Sequence, residues 1–219
     1  MEPHERPPIG FILEGRGEYV SYPSLVCRIL GTEVGRIPRN EVRYGCGEIS
    51  ANLDEHLLDL VRVAHPYVVI VTVDLVDFKD QFADCVALID HIQSRANDWL
   101  ERMRTHPKIA PLPQYIKVVL QIKKFEGWLS SDDFGLSQNG LLAQGYTPCF
   151  YTDTDTEIRE PHGHLCEILN DLDPKDTEDV KKIVAALRVD VVEHQSRSFR
   201  KFAKEVRASY ELWQNACAI

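Results

Sequence analysis

The apolar positions along this chain change their spacing several times, and each change marks an element. Ile9 to Leu13 (IGFIL) is a nearly continuous apolar run that stops at Glu14-Gly15-Arg16-Gly17-Glu18. Runs of this kind suit strands covered on both faces, so they predict a sheet with helices on each side. Tyr19 to Leu30 follows as a predicted helix, its regular part starting near Pro23 and its stop at Gly31. Val34 to Val42 holds a weaker strand, demoted to an edge by Pro38. In Asn52 to Val63 the residues Leu53, Leu57, Leu60 and Val61 repeat with helical period, and Pro66 closes the segment. Tyr67 to Val73 is the strongest strand signal, β-branched and uncharged, and it ends at Asp74. Phe82 to Met103 reads as a long helix, followed by Pro107, Pro111 and Pro113. Tyr115 to Ile122 is a fourth strand, with Lys123-Lys-Phe-Glu-Gly-Trp-Leu129 directly after it.

Past Ser130 the strand pattern fades. Residues 131–161 read as loops and short pieces. Two helices close the chain, one starting near Asp173-Pro174 and one running from Ser196 to about Trp213. Strands alternating with helices predict an α/β fold. At 219 residues the chain exceeds the roughly 150 residues of a common domain. The expectation is an α/β core over residues 8–135 and a helical C-terminal extension over 136–219, packed on the same domain.

Composition narrows the class. Apolar residues make up 44% and charged residues 27%, which excludes a disordered tail, a collagen-like fibre and a coiled-coil rod. No stretch approaches the roughly 18 apolar residues of a membrane span. The opening MEPHERPPIG lacks the basic and apolar segments of a secretory signal. Cys27, Cys46, Cys85, Cys149, Cys166 and Cys217 are scattered, with no C-x-x-C pair. Together these features lead to the expectation of a cytoplasmic protein with reduced thiols. The net charge of −9 argues against a non-specific nucleic-acid coat protein. It leaves room for a metal-dependent enzyme acting on phosphates, because such a site collects carboxylates.

Ligands of open α/β sheets bind at the carboxyl ends of the strands, and three predicted strands end in acids. The first supplies Glu14 and Glu18, the third Asp74 and Asp77, the fourth Glu126, with Asp132 and Asp133 soon after. Carboxylates gathered at one sheet edge repel unless neutralised, and hard oxygen donors suit Mg²⁺ or Mn²⁺. Gly15 and Gly17 are expected to let the backbone turn sharply beside them. Glu18 has a second reading, as a helix-start residue favoured by the helix dipole.

Four blocks in order carry a resemblance: Leu13-Glu14-Gly15-Arg16-Gly17-Glu18, Val73-Asp74-Leu75-Val76-Asp77, Phe125-Glu126-Gly127-Trp128-Leu129-Ser130-Ser131-Asp132, and Ser196-Arg197-Ser198-Phe199-Arg200-Lys201-Phe202. Over Ile9 to about Arg207 the chain resembles the TOPRIM fold of topoisomerases, primases and old-type nucleases. It is most similar to a TOPRIM-like bacterial family of unknown function related to those nucleases. The resemblance implies a TOPRIM-like Rossmannoid with a mostly parallel sheet, and metal-dependent cleavage of nucleic-acid phosphodiesters. It implies Glu14 as general acid/base or metal ligand and Asp74 as metal ligand, with Glu18 and Glu126 completing the shell around Mg²⁺ or Mn²⁺. Relatives are tied to ABC- or AAA-type ATPases in bacterial defence against phage, so the resemblance also implies an ATPase partner. The family repeats aspartate two positions after the first; here that position is Val76, and Asp77 stands one residue beyond it.

The last predicted helix carries Phe199, Phe202, Ala203, Val206, Tyr210 and Trp213 on one face and Arg197, Arg200, Lys201, Lys204 and Arg207 on the other. In an acidic chain this basic stripe is either a nucleic-acid contact (DNA or RNA) or a solvated face. Trp128 reads as core. His162-x-His164-x-Cys166 lacks a second ligand pair for zinc, and only His162 and Cys166 would share a helix face. Asp153, Asp155 and Glu157 fail calcium-loop spacing because Ile158 stands where glycine is required. No P-loop and no nucleophile elbow occurs. Two other functions stay open beside the nuclease: a catalytically weak regulatory or interaction subunit of an ATPase complex, and a metal-dependent nucleotide-processing enzyme. A homo-oligomer is compatible with each.

Overall fold

In the computed structural model, Ile9–Leu13 (β1) pairs in parallel on one side with Arg39–Glu41 (β2) and on the other with Val68–Asp74 (β3). Ile116–Gln121 (β4) pairs in parallel with β3. The order is β2-β1-β3-β4, with three full strands and β2 as a three-residue edge. The structure describes residues 1–41, 46–78, 82, 84–106 and 109–218, with the backbone alone at 40, 41, 46, 47, 76 and 77.

Period-two alternation sends the strand side chains to two cores. Phe11, Leu13, Ile70 and Val119 face Arg16–Leu30 (α1) and a shell of later helices. Ile12, Val69, Val71, Val73, Val118 and Leu120 face Cys46–Ala64 (α2) and Cys85–Arg104 (α3). All residues of β1 and β3 are buried, which accounts for their continuous apolar runs.

The remaining α-helices among the described residues all follow β4. They are Lys124–Leu129 (α4), Asp133–Gln138 (α5), Thr154–Glu157 (α6), Pro161–Ile168 (α7), Thr177–Ala186 (α8), Val189–Gln195 (α9) and Arg197–Cys217 (α10). The C-terminal extension is part of the α1-side core. Trp128 stacks among Tyr22, Phe199 and Phe202, with its ring centre 4.9 Å from that of Phe202. Its Nε1–H donates to Ser198 Oγ at 2.9 Å. Buried Asp155 accepts from the Ser198 amide (2.7 Å) and from the hydroxyls of Ser196 and Ser198. Arg28 of α1 donates to the carbonyls of Val184 and Leu187. The Phe125–Asp132 and Ser196–Phe202 blocks thus pack together through Trp128, Phe199 and Phe202 and the Trp128–Ser198 hydrogen bond.

Several predicted boundaries shift. Helix α1 begins at Arg16 rather than near Tyr19, with Pro23 inside it; packing of Tyr22, Leu25 and Val26 outweighs the lost hydrogen bond. Helix α2 starts earlier than Asn52, which instead marks a kink. Helix α3 starts later than Phe82, where the Asp84 side chain accepts from the amides of Val86 and Ala87. Helix α8 is capped by Asp176, three residues beyond Asp173. Helices α7 and α9 are short additions to the two closing helices that the pattern predicted.

Candidate active site at the switch point of the sheet

Strand order reverses between β1 and β3, since α1 leads outward to β2 while the chain returns past β1 to β3 and β4. Such a reversal leaves a crevice beyond the strands' carboxyl ends. Glu14 follows β1, Asp74 ends β3, and Glu126 lies in the first turn of α4 just after β4. With Glu18 they line one cleft of about 360 Å³. The Asp74 backbone N–H donates to Glu14 Oε1 at 2.9 Å, tying the two strand ends across the crevice.

Glu18 sits beneath the cleft, 3% exposed. One oxygen accepts from the Gly15 amide at 2.7 Å, fixing the turn into α1. The other accepts from Gln121 Nε2 at 2.6 Å, and from the Tyr22 and Thr72 hydroxyls at longer range. Burial pushes its carboxyl up to about 7; the Gln121, Gly15 and Tyr22 hydrogen bonds oppose that rise, and the charge of Glu126 adds to it. Both Glu18 oxygens are thus engaged, one with the Gly15 amide and the other with Gln121, Tyr22 and Thr72. The chain bends here between β1 and α1, but neither glycine is held in a conformation that requires glycine. Gly15 is extended at φ −132°, and an added Cβ on Gly17 would meet only ordinary contacts.

The partners of Glu18 were legible as breaks in a pattern. Thr72 shares a face with Ile70, and Gln121 with Val119, yet both are buried polar residues near strand ends. A buried polar group costs free energy unless it is paired, so a buried threonine and a buried glutamine on neighbouring strands point to a third polar group facing them.

Other predicted acids go elsewhere. Asp132 is fully buried; it caps α5 through the Gly135 amide and pairs with Arg188 at 2.6 Å. Asp133 accepts from the Tyr146 hydroxyl (2.8 Å), the Cys149 amide (3.1 Å) and the Tyr151 hydroxyl (3.3 Å). Both hold the extension in place and neither lines the cleft. Asp77 falls in the 3-10 turn Leu75–Phe78 after β3, and its side chain lies outside the described residues.

The basic stripe is on the surface of α10, with Arg197, Arg200, Lys201 and Lys204 exposed. Arg197 pairs with Asp153 (2.7 Å) and Arg207 with Glu193. Helix α10 packs its Phe199 and Phe202 against Trp128, near the carboxyl end of β4. Ser209 reaches Tyr115 ahead of β4, and Trp213 reaches Pro3 ahead of β1. The helix therefore runs antiparallel to the strands, and successive stripe residues recede from the cleft. Among the described residues the cations that line the cleft are Arg16, Lys124 and Lys175, which the sequence pattern did not mark.

The donor set fits a hard divalent cation in kind, since Glu14, Asp74 and Glu126 offer carboxylate oxygens on one cleft. Among the described residues no group of three or more His, Cys, Asp or Glu side chains is already gathered as a metal-binding group. His162 Nε2 and Cys166 Sγ, 3.7 Å apart on α7, do share a face as their spacing requires. No helix among the described residues is long and apolar enough to cross a membrane. Compared with known protein families, with characterised proteins and with solved structures, the chain matches none.

Proposed function

We propose that the cleft is the active site of a Mg²⁺- or Mn²⁺-dependent phosphodiesterase acting on nucleic acid, a nuclease of the TOPRIM type. The observation that carries this reading is the arrival of Glu14, Asp74 and Glu126 from three strand ends at one switch-point cleft, beside Arg16, Lys124 and Lys175. Acids and bases on one cleft suit a ligand that is anionic and bound through a cation.

In this reading Glu14, Asp74 and Glu126 hold the ion. When bound, such an ion polarises a phosphoryl oxygen and lowers the pKa of attacking water. Arg16, Lys124 and Lys175 offset the charge of the phosphate and orient it. Alternatively Glu14, held by the Asp74 amide, would serve as the general acid/base in place of a metal ligand. Glu18 keeps the Gly15 turn and the cleft floor in register. A bacterial setting in phage defence, with an ATPase partner in the cytoplasm, belongs to the same proposal and rests on the sequence resemblance.

A second reading is favoured by two observations: Val76 stands where the family carries aspartate, and no metal-binding group is already gathered among the described residues. In that reading the chain is a weak or inactive subunit that regulates an ATPase. A cleavage assay separates the two. Plasmid, single-stranded DNA and RNA are incubated with Mg²⁺ or Mn²⁺, with and without a neighbouring ATPase, using wild type, Glu14→Gln and Asp74→Asn. Metal-dependent cleavage abolished in both variants supports the nuclease. A folded wild type that cleaves nothing supports the regulatory subunit.

A further inference from the structure

Beside the acidic cleft lies a second cavity of about 260 Å³, and the two share Lys124, Glu126 and Lys175 in their linings. The second cavity is basic. Lys123, Lys124, Arg159 and Lys175 line it against Glu126 and Glu160. These cations come from three separate segments: the turn after β4, the link between α6 and α7, and the loop ahead of α8. Gathering like charges from distant segments is unfavourable unless something anionic balances them. In a chain of net charge −9 it is also not what composition alone would produce.

Two further features mark the same place. Lys124 is held at φ +64°, in the left-handed region that non-glycine residues rarely occupy. Strain of this kind persists where the surroundings over-determine a functional position. His162 lines the cavity, and its buried Nδ1 has no hydrogen-bond partner among the described residues. Lys123 Nζ donates to the carbonyl of Arg159, an exposed residue, at 3.5 Å, joining two walls of the cavity.

We infer that this cavity is a phosphate subsite that takes the phosphodiester neighbouring the one in the acidic cleft. The substrate is then a nucleic-acid strand carrying at least two consecutive phosphates, and a mononucleotide fills only half of the site. This rests on the proposed phosphodiesterase for the identity of the first phosphate. The basic cavity itself binds without metal.

The test is anisotropy titration of a fluorescein-labelled 12-nucleotide single strand, as DNA and as RNA, in EDTA over a salt series. Wild type is compared with Arg159→Ala, Lys175→Ala and, as a control, Lys181→Ala, whose side chain pairs with Glu178 on α8 outside the cavity. Arg159→Ala and Lys175→Ala are each expected to weaken binding about tenfold and to lower the salt slope by about 1, with Lys181→Ala unchanged. The subsite is overturned if both variants, with unchanged circular dichroism, bind as wild type does. It is equally overturned if wild type binds neither strand at 50 mM salt. Binding lost in Arg159→Ala and Lys175→Ala by a protein that cleaves nothing with Mg²⁺ or Mn²⁺ sinks the phosphodiesterase and leaves the subsite standing. Cleavage with binding insensitive to both substitutions does the reverse.

Discussion

Glu14 Oε1 accepts a 2.9 Å hydrogen bond from the backbone N–H of Asp74, so a side chain after β1 caps the end of β3. The two residues are 60 positions apart and lie on either side of the point where strand order reverses. The bond ties together the two strand ends whose carboxylates would hold the proposed ion. It also gives Glu14 a structural duty that can be separated from its chemical one.

That separation yields the first prediction. Glu14→Gln keeps an acceptor for the Asp74 amide and removes the charge. It should unfold in urea within about 0.5 kcal/mol of wild type. Glu14→Ala leaves the amide without that partner and should lose about 1–2 kcal/mol. If the cleft is catalytic, both should lose cleavage by more than the roughly 10–100-fold typical of outer-shell partners of a metal. Full activity in Glu14→Gln would remove the residue from the chemistry.

Glu18 gives a pH prediction. Its folded carboxyl is raised from 4.5 to about 7, so between those values the folded state holds a proton that the unfolded state has released. The corresponding stability is present below about pH 4.5, falls as pH rises towards 7 and is gone above it. At about 1.4 kcal/mol per pKa unit the change is about 3 kcal/mol. Urea unfolding of wild type and Glu18→Gln at pH 4.5, 6 and 8 reads it as the difference between the two proteins. A wild-type minus variant difference that does not vary with pH would contradict the assignment.

The lock between Trp128 and Ser198 predicts that the extension cannot be removed. Trp128→Ala should cost about 3–5 kcal/mol through the cavity it opens among Tyr22, Phe199 and Phe202. Ser198→Ala strands the indole N–H and takes a donor from Asp155, at about 1–3 kcal/mol. Trp128→Phe combined with Ser198→Ala should cost less than the sum of the two, since one interaction is removed twice. Additive losses in denaturant melts would show the hydrogen bond to be irrelevant.

The course of α10 ranks the basic residues. Lys201→Glu with Lys204→Glu reverses two charges on a face that leads away from the cleft. It should weaken oligonucleotide binding less than Arg159→Ala or Lys175→Ala does. A larger loss, with a larger fall in salt slope, would move the nucleic-acid path onto α10.

Much of the fold was legible because burial on both faces leaves a mark in one dimension. The apolar runs at Ile9–Leu13, Val68–Asp74 and Ile116–Gln121 are strands because helices cover both sides of the sheet. The placement of Glu14, Asp74 and Glu126 also follows from the chain alone, since parallel strands bring their carboxyl ends to one edge. Helix starts were less legible. Pro23 lies inside α1 because tertiary packing there outweighs a local rule.

What only the tertiary structure decided is which charges meet. Asp132 and Asp133 stand as near Glu126 in sequence as any acids, yet the pairing of fully buried Asp132 with a partly exposed Arg188, 56 residues on, takes it out of the cleft. Glu18 is spent on Thr72 and Gln121, which reach it across the sheet face from two other strands. Arg159 and Lys175 carry no periodic signature, because each sits in a loop whose position is set by the helices it joins. Secondary structure follows from neighbours within a few positions along the chain, and periodicity records it. The company that a charged side chain keeps is set by contacts between distant segments, which no local pattern encodes.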